Sequence, residues 1–405
     1  MRQAYYNDFV LRNLDFLSLC LLKALALGAQ QSRRNIMSLE NLAIRNTDDL
    51  PLRHAGNVHN GKVRSVYWLS PEDSRSIVEQ RNYAVPGDTQ LGVMVISDRI
   101  SAYEIIWQGE DGLMGVPGKG ASLNATAQHW FKEFEKAGLA GNHILETPHP
   151  LVWIVRRANP VMIEAIARQY ITGSMWRAYE KGEREICGIT LPDGLKNGDK
   201  MPELLITPST KGILSGIPGV PELDDVNITR EQIINNFEAF NFATREDVDR
   251  YETLLAEGVK IISDQAAAAG QLLADTKFEF GYVANPPGSE SDYSMIYIDE
   301  VGTLDSSRYW DLAAYREGKM VENSKERFRK LLCDAVPDKD VLLNKDRMAE
   351  RGPLGKTFKV PVEAMMAIGE LYRDIAERLT GSPVPQIENA RQEILDALTP
   401  YGIVQ

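Results

Sequence analysis

Hydrophobic and polar residues alternate most sharply in two segments of the C-terminal half. The first reads Asp275-Thr276-Lys277-Phe278-Glu279-Phe280-Gly281. The second reads Ile298-Asp299-Glu300-Val301 and runs on into Leu304-Asp305-Ser306-Ser307-Arg308-Tyr309-Trp310. Period-two alternation predicts strands. Asp275, Lys277 and Glu279 then share one face, and Phe278 and Phe280 share the other. The aromatic face needs a core, so the charged face looks into a cleft or into water. The turn formers Asn285-Pro286-Pro287-Gly288-Ser289 between the segments predict an antiparallel hairpin. Such a hairpin brings Glu279, Asp299 and Lys277 together. Two carboxylates and a lysine on one sheet face suit a divalent cation and a phosphate.

Elsewhere the apolar runs 63–69, 91–97, 151–155 and 161–170 predict strands, and a charged connection separates the first two. Ala127, Trp130, Phe131 and Phe134 recur at helical spacing and predict a helix over about 123–136. A short helix is expected over 175–181, then longer ones over 230–240, 245–270, 324–333 and 361–380. The last is marked by Pro361 at its start and Gly381 past its end. Residues 187–225 are rich in Gly, Pro and Asp without periodicity and read as a long functional or mobile loop region.

Composition narrows the function without choosing it. The chain has 405 residues, 43% hydrophobic and 25% charged, ordinary for a globular protein of two or three domains. Its formal net charge of −12 argues against nucleic acid as a partner, because backbone phosphates demand a basic field. Cys20, Cys187 and Cys333 are scattered and do not have metal-ligand spacing, which fits a reducing cytoplasm. The five histidines form no zinc motif. The apolar stretch 16–29 is too short to span a membrane and is interrupted by Lys23, while Asp8 and Asp15 spoil it as a signal peptide. Two readings of 1–36 stay open: an appended helix, or a start misplaced ahead of Met37. Neither carries a function.

Several short motifs mix glycine with cations. Asn60-Gly61-Lys62-Val63-Arg64 lets backbone approach a phosphate while Lys62 and Arg64 point the same way, although most such runs are plain turns. Ser97-Asp98-Arg99-Ile100-Ser101-Ala102-Tyr103 follows an apolar strand and reads as strand-end site residues or a surface ion pair. Val116-Pro117-Gly118-Lys119-Gly120 departs from the Walker pattern, so a tight turn is its default. Arg168-Gln169-Tyr170-Ile171-Thr172-Gly173-Ser174 offers a forked donor for phosphate, with Ser174 reaching an anion or capping a helix. Thr207-Pro208-Ser209-Thr210-Lys211-Gly212 is a polar loop carrying a lysine.

In order, these motifs and the two alternating segments resemble the phosphoribosylaminoimidazole-succinocarboxamide synthase (SAICAR synthetase) family from about Gly56 to Gly381. The most specific are Ala-Asp-Thr-Lys-Phe-Glu-Phe-Gly and Asp-Glu-Val-x-Thr-x-Asp-Ser-Ser-Arg-Tyr-Trp. The resemblance implies an α+β, two-lobed fold with a nucleotide cleft between the lobes, distantly like protein kinases and ATP-grasp enzymes. The expected bounds are an N-terminal extension over 1–46, an ATP-binding lobe over 47–157, a larger lobe with the metal and substrate site over 158–381, and a tail over 382–405.

The resemblance also implies an amide ligase of purine biosynthesis. ATP, carboxyaminoimidazole ribonucleotide and L-aspartate would give SAICAR, ADP and phosphate through an acyl phosphate. Gly61, Lys62 and Arg64 would hold the phosphates of ATP, and Lys277 would contact phosphate during transfer. Glu279 and Asp299 would hold Mg2+. Arg168, Ser174 and Arg308 would bind the ribonucleotide phosphate and its neighbours, with Asp305 oriented nearby and Asp98, Arg99 and Ser101 on the substrate side of the cleft. Lys211 would serve the aspartate or acyl-phosphate side. The implied partners are these small molecules, with no nucleic acid or membrane, and a homo-oligomer is left open. Three departures from the family pattern stand out: Glu104 replaces a common Asp, Leu304 replaces a common Pro, and 221–229 lacks a histidine common after Lys211. A small-molecule kinase on the same scaffold, or a non-catalytic nucleotide-binding paralogue, are the alternative readings.

Overall fold

Phe278 and Phe280 are completely buried, as the alternation predicts, and pack among Phe134, Tyr251 and Tyr297. The computed structural model that places them describes residues 42–405, which form one compact α+β unit. The apolar stretch 16–29 and the alternative start at Met37 lie outside the described residues.

The first sheet holds β1 (His59–Asn60), β2 (Arg64–Trp68), β3 (Leu91–Ile96), β4 (Ile144–His149) and β5 (Val152–Arg156), in the order β1-β2-β3-β5-β4. The charged connection between β2 and β3 is a helix, α1 (Pro71–Arg81). Its end signals are regular: the Ser70 hydroxyl accepts the Asp73 amide at 3.0 Å, and Pro71 opens the first turn. It buries only Ser74, Ile77 and Val78, too narrow a stripe for periodicity to register. Helix α2 (Lys119–Lys136) starts four residues before the expected position. Gly118, at φ 76°, sets its entry, and the buried first turn Lys119-Gly120-Ala121-Ser122 has no amphipathic pattern to read.

The second sheet contains β6 (Asn159–Pro160), β7 (Ile163–Tyr170), β8 (Lys200–Ile206), β9 (Ser209–Thr210), β10 (Gln271–Ala284), β11 (Tyr293–Ile298) and β12 (Ser307–Asp311). Thus 187–225 is not wholly loop. β8 escaped notice because Pro202 interrupts it and its pairing with β7 is irregular. The expected hairpin is β10–β11, with Glu279 opposite Ile298 and Ala284 opposite Tyr293. The second alternating segment, however, is not one strand. β11 ends at Ile298 because Asp299 turns left-handed, at φ 59°. Residues 299–306 then leave the sheet, and the chain returns as β12.

β11 and β12 share one edge of β10, the first pairing with 279–284 and the second with 271–276, while β6 and β7 line the other edge. The edge gap falls at Lys277, whose amide donates to Ser306 O at 3.0 Å. Asp299, Glu300 and Asp305 therefore all hang off the loop that fills this gap.

Helices cover the sheets. α3 (Gly173–Glu180) follows β7, and α4 (Glu246–Ala268) packs on β10. Gly258 makes that approach feasible, since a Cβ there would stand 2.9 Å from the Phe278 ring and 3.0 Å from Phe134. α5 (Lys325–Ala335) starts at Ser324, and α6 (Val362–Thr380) lies along α2, between Pro361 and Gly381 as expected. In 382–405, α7 (Ala390–Leu398) packs on β4, Val404 bridges Leu52, and Arg391 binds Asp49 at 2.7 Å. Among the described residues, no helix is long and apolar enough to cross a membrane.

Candidate active site

Arg168 on β7, Asp275 on β10 and Arg308 on β12 are direct register partners, so three neighbouring strands set them side by side. Asp275 Oδ2 accepts from Arg168 at 3.2 Å and from Arg308 at 2.5 Å. Arg168 Nε also donates to Thr207 Oγ1 at 2.9 Å, and Arg308 Nη2 to Glu326 at 3.2 Å. Gly173, at φ 60°, lets the Arg308 guanidinium lie against the start of α3; a Cβ there would stand 2.7 Å from its Nη2. Ser174 does not cap α3, since Thr172 holds that position, and it faces the same cavity as the two arginines. Two forked donors and a hydroxyl at a helix start are a donor set that suits an anion such as phosphate.

Two residues along the same face, Lys277 donates to Glu164 at 3.0 Å and to Glu279 at 2.9 Å. Burial alone would lower its pKa, but the carboxylates of Glu279, Glu164 and Asp299 raise it above the ordinary lysine range. Glu279 also pairs with Lys211. Burial pushes the Glu279 carboxyl up, and Lys277 and Lys211 outweigh that and bring it down to about 2. Asp299 is the reverse case. Burial raises it, Arg64 at 3.1 Å lowers it, and repulsion from Glu279 and Glu300 carries it to about 6. Its side chain remains 34% exposed, which leaves access for an ion. Glu300 is held by Arg64 at 2.6 Å.

A hard divalent cation fits these carboxylates, since the donors are oxygens and crowded negative charge opposes the ionisation of Asp299. Among the described residues no group of three or more acidic, histidine or cysteine side chains is arranged as a metal site. An ion here would complete its shell with water and phosphate oxygens, as Mg2+ commonly does.

Asp305 is the most enclosed carboxylate of the site. Lys119 lies 2.9 Å away, Lys325 3.5 Å away, and the Tyr372 hydroxyl donates at 2.7 Å. Burial would raise Asp305, but Lys119 and Lys325 hold it well below the usual carboxylate range. With its side chain only 3% exposed, Asp305 is a hub that joins α2, α5 and α6 to the 299–306 loop. Sequence reasoning missed Tyr372 and Lys325, which carry no local motif. Lys119 did carry a signal, in Pro-Gly-Lys-Gly, and was read as a turn.

The remaining expected residues surround the glycine turn. Gly61 N donates to Arg64 O at 2.8 Å, closing it. Lys62 pairs with Glu104 at the surface. Arg99 bonds Ser97 at 2.9 Å and both Asn60 and Gly61 O at 3.1 Å, so it braces the turn. Asp98 accepts the Gly120 amide at 2.8 Å and the Ile44 amide at 3.0 Å. Burial raises its carboxyl to about 6 against the pull of those amides. Ser101 is half-buried in the short strand Ile100–Ala102.

A cavity of about 350 Å³ collects Arg168, Ser174, Lys277, Asp305, Arg308 and Lys325. Gly61, Lys62, Arg64, Asp98, Arg99, Ser101, Lys211, Glu279 and Asp299 are not in its lining. From Asp275 to Glu279 the face runs about 13 Å at strand rise, with an anion seat at one end and a carboxylate pair at the other.

Residues 57–342 match the family model described as SAICAR synthetase. Phosphoribosylaminoimidazole-succinocarboxamide synthase of Aeromonas salmonicida is 58% identical over 369 residues, 91% of this chain and all of that protein. The Vibrio cholerae protein of the same name is 56% identical over 370 residues, with the same coverage. The solved structure of a SAICAR synthase from Saccharomyces cerevisiae complexed with SAICAR superposes with a TM-score of 0.57 at 26% identity, covering 84% of this chain and 99% of that one.

Proposed function

The chain belongs to the SAICAR synthetase family, and from that membership we propose how its own residues divide the reaction. The enzyme is an ATP-dependent ligase of purine biosynthesis. It joins L-aspartate to carboxyaminoimidazole ribonucleotide and gives SAICAR, ADP and phosphate. A carboxylate is a poor electrophile toward an amine. Transfer of the γ-phosphoryl group of ATP to the ribonucleotide carboxylate makes an acyl phosphate. The aspartate amine then attacks the acyl carbon, loses a proton, and expels inorganic phosphate.

The observation that carries the residue assignment is the single face of β10, which presents Asp275, Lys277 and Glu279 in a row. Arg168, Ser174 and Arg308 seat the ribonucleotide phosphate at one end. Lys277 neutralises charge on the phosphoryl group in flight, where a preorganised cation helps most. Lys62 and Arg64, held by the Gly61 turn and braced by Arg99, take the phosphates of ATP. Lys211 stands on the acyl-phosphate side, and Asp305 holds the cavity wall in place. Glu279 and Asp299 would hold Mg2+, which would supply charge neutralisation for the phosphoryl group. Within the one compact unit, this proposal assigns ATP binding to 47–157 and the metal and substrate site to 158–381. A cytoplasmic location is part of the same reading, supported by the unpaired Cys187 and Cys333.

ADP release measured with and without L-aspartate tests the reading. The expected result is ADP formation matched by amide product. A stable phosphorylated ribonucleotide formed without aspartate would indicate a kinase, and binding of ATP with no turnover would indicate a non-catalytic paralogue.

Asp299→Asn is expected to keep the fold and abolish the response to magnesium. In the unsubstituted enzyme, Asp299 gains its charge as pH rises through about 6, so apparent Mg2+ affinity should strengthen over that step. Because its folded pKa lies above the unfolded value, this group's contribution to stability is lost over the same rise. Magnesium titrations at pH 5 to 8 check this, and an unchanged magnesium profile in the variant would remove Asp299 from the metal site.

A further inference from the structure

The last residues of the chain close on a segment that precedes the first sheet. Leu52 and Val404 form an antiparallel bridge. Arg53 N donates to Ile403 O and Gln405 N to Pro51 O, each at 2.8 Å. Arg391, on α7, holds Asp49 through both its carboxylate and its backbone oxygen, each at 2.7 Å. Arg53 Nη2 reaches Gly402 O at 2.7 Å. The bonds between exposed side chains are individually weak. Leu50, Leu52, Leu398, Tyr401 and Ile403 are buried in the main core, and their burial gives the joint most of its strength.

The segment held in this way is bonded to both ends of the glycine turn. The Tyr67 hydroxyl, on β2, donates to Thr47 O at 2.7 Å and accepts the Leu50 amide at 3.0 Å. The buried hydroxyls of Thr47 and Ser65 lie 2.7 Å apart, and Ser65 donates on to Asn60 Oδ1 at 3.1 Å. Asn60 Nδ2 donates to Asp48 at 2.5 Å. Asn60 stands directly before Gly61, and Ser65 directly after Arg64. The turn therefore rests on 47–50 as well as on Arg99, and 49–53 rests on the tail. No residue of 382–405 lines the 350 Å³ cavity. Both 42–53 and 382–405 lie outside the residues matched by the family model.

We propose that 382–405 is a clasp that sets the affinity for ATP: closed, it fixes Thr47 and Asp48 under the glycine turn and keeps that turn shaped for phosphate. The assignment rests on the reading that Gly61, Lys62 and Arg64 take the phosphates of ATP. Thr47 and Asp48 are positioning residues, since they act through the turn. A turn ordered in advance binds its ligand without the cost of becoming ordered. The coupling is reciprocal: whatever factor the closed tail adds to ATP binding, bound ATP adds to tail closure. The ribonucleotide side is separate, because Arg168 and Arg308 belong to the second sheet.

Two measurements on the full chain test the clasp. In steady-state kinetics, Thr47→Val cuts the link to Ser65 and Ile403→Ala loosens the tail itself. KM for ATP should rise about 3–10-fold in each, the effect of leaving one or two groups to be ordered on binding. KM for the ribonucleotide should stay within about twofold. Thr47→Ser restores the hydroxyl and should restore KM. In amide hydrogen exchange on the unsubstituted enzyme, 399–405 should exchange more slowly, by a similar factor, when a non-hydrolysable ATP analogue is saturating. Ser65 keeps Asn60 in Thr47→Val, so that variant should fold, and it decides the matter if urea melts show that Ile403→Ala does not. An ATP KM that stays put, a rise shared equally by the ribonucleotide, or tail exchange indifferent to the analogue would overturn the clasp. An unchanged ATP KM in Lys62→Met would instead overturn the phosphate assignment beneath it.

Discussion

Replacing Asp275 with alanine is expected to destabilise the fold by about 3–5 kcal/mol, the cost of stranding charge after one member of a buried ion pair is removed. Asp275 is the anion between Arg168 and Arg308, and all three side chains are mostly buried. Arg308 retains Glu326, but Arg168 retains only the Thr207 hydroxyl. Two guanidinium groups on the strands flanking β10 then face each other with no carboxylate between. The measurement is the urea midpoint, with and without added inorganic phosphate. A large fall that phosphate partly reverses is expected, because the anion seat can then be filled from solution. A midpoint equal to that of the parent enzyme would show that the triplet contributes nothing to stability.

Lys277→Met should do the opposite: leave the fold in place and remove the chemistry. Its two carboxylate partners are not both stranded, since Glu279 keeps Lys211. Methionine also preserves most of the buried stem. The expected loss is about 100–1,000-fold in kcat, the effect of deleting one preorganised charge from a site of this kind. KM for the ribonucleotide should change little, because the proposed seat for its phosphate is Arg168 and Arg308 instead. That split, a fall in kcat at nearly constant KM, identifies a contact made in the transition state. A loss smaller than tenfold would place Lys277 outside the transfer step.

The charged face of β10 was legible from sequence because alternation fixes which residues share a face. The same rule misread the second segment. It carried the strand straight through Asp299, whereas a left-handed residue there ends it. No periodicity reports a single backbone angle at a non-glycine residue. The buried hub at Asp305 was hidden for a different reason. Its partners Lys119, Lys325 and Tyr372 come from three helices far apart in the chain, and only packing brings them together. Asp98 and Arg99 were legible as unusual but not in role: they tie backbone amides and the Gly61 turn in place. Helix α1 was missed because its caps are clear and its apolar stripe is not.

The gap in the edge of β10 has a consequence for how this chain tolerates change in length. Surface loops usually accept insertions because nothing downstream depends on their count. Residues 299–306 are different, since both strands they connect are registered against the same neighbour. They act as a ruler. One residue more or fewer, passed on into β12, would turn Arg308 toward the core and Tyr309 toward the cavity. Two would keep the faces but slide Arg308 off Asp275. The spacing between the carboxylates of this loop and Arg308 is therefore as much a part of the site as the side chains themselves.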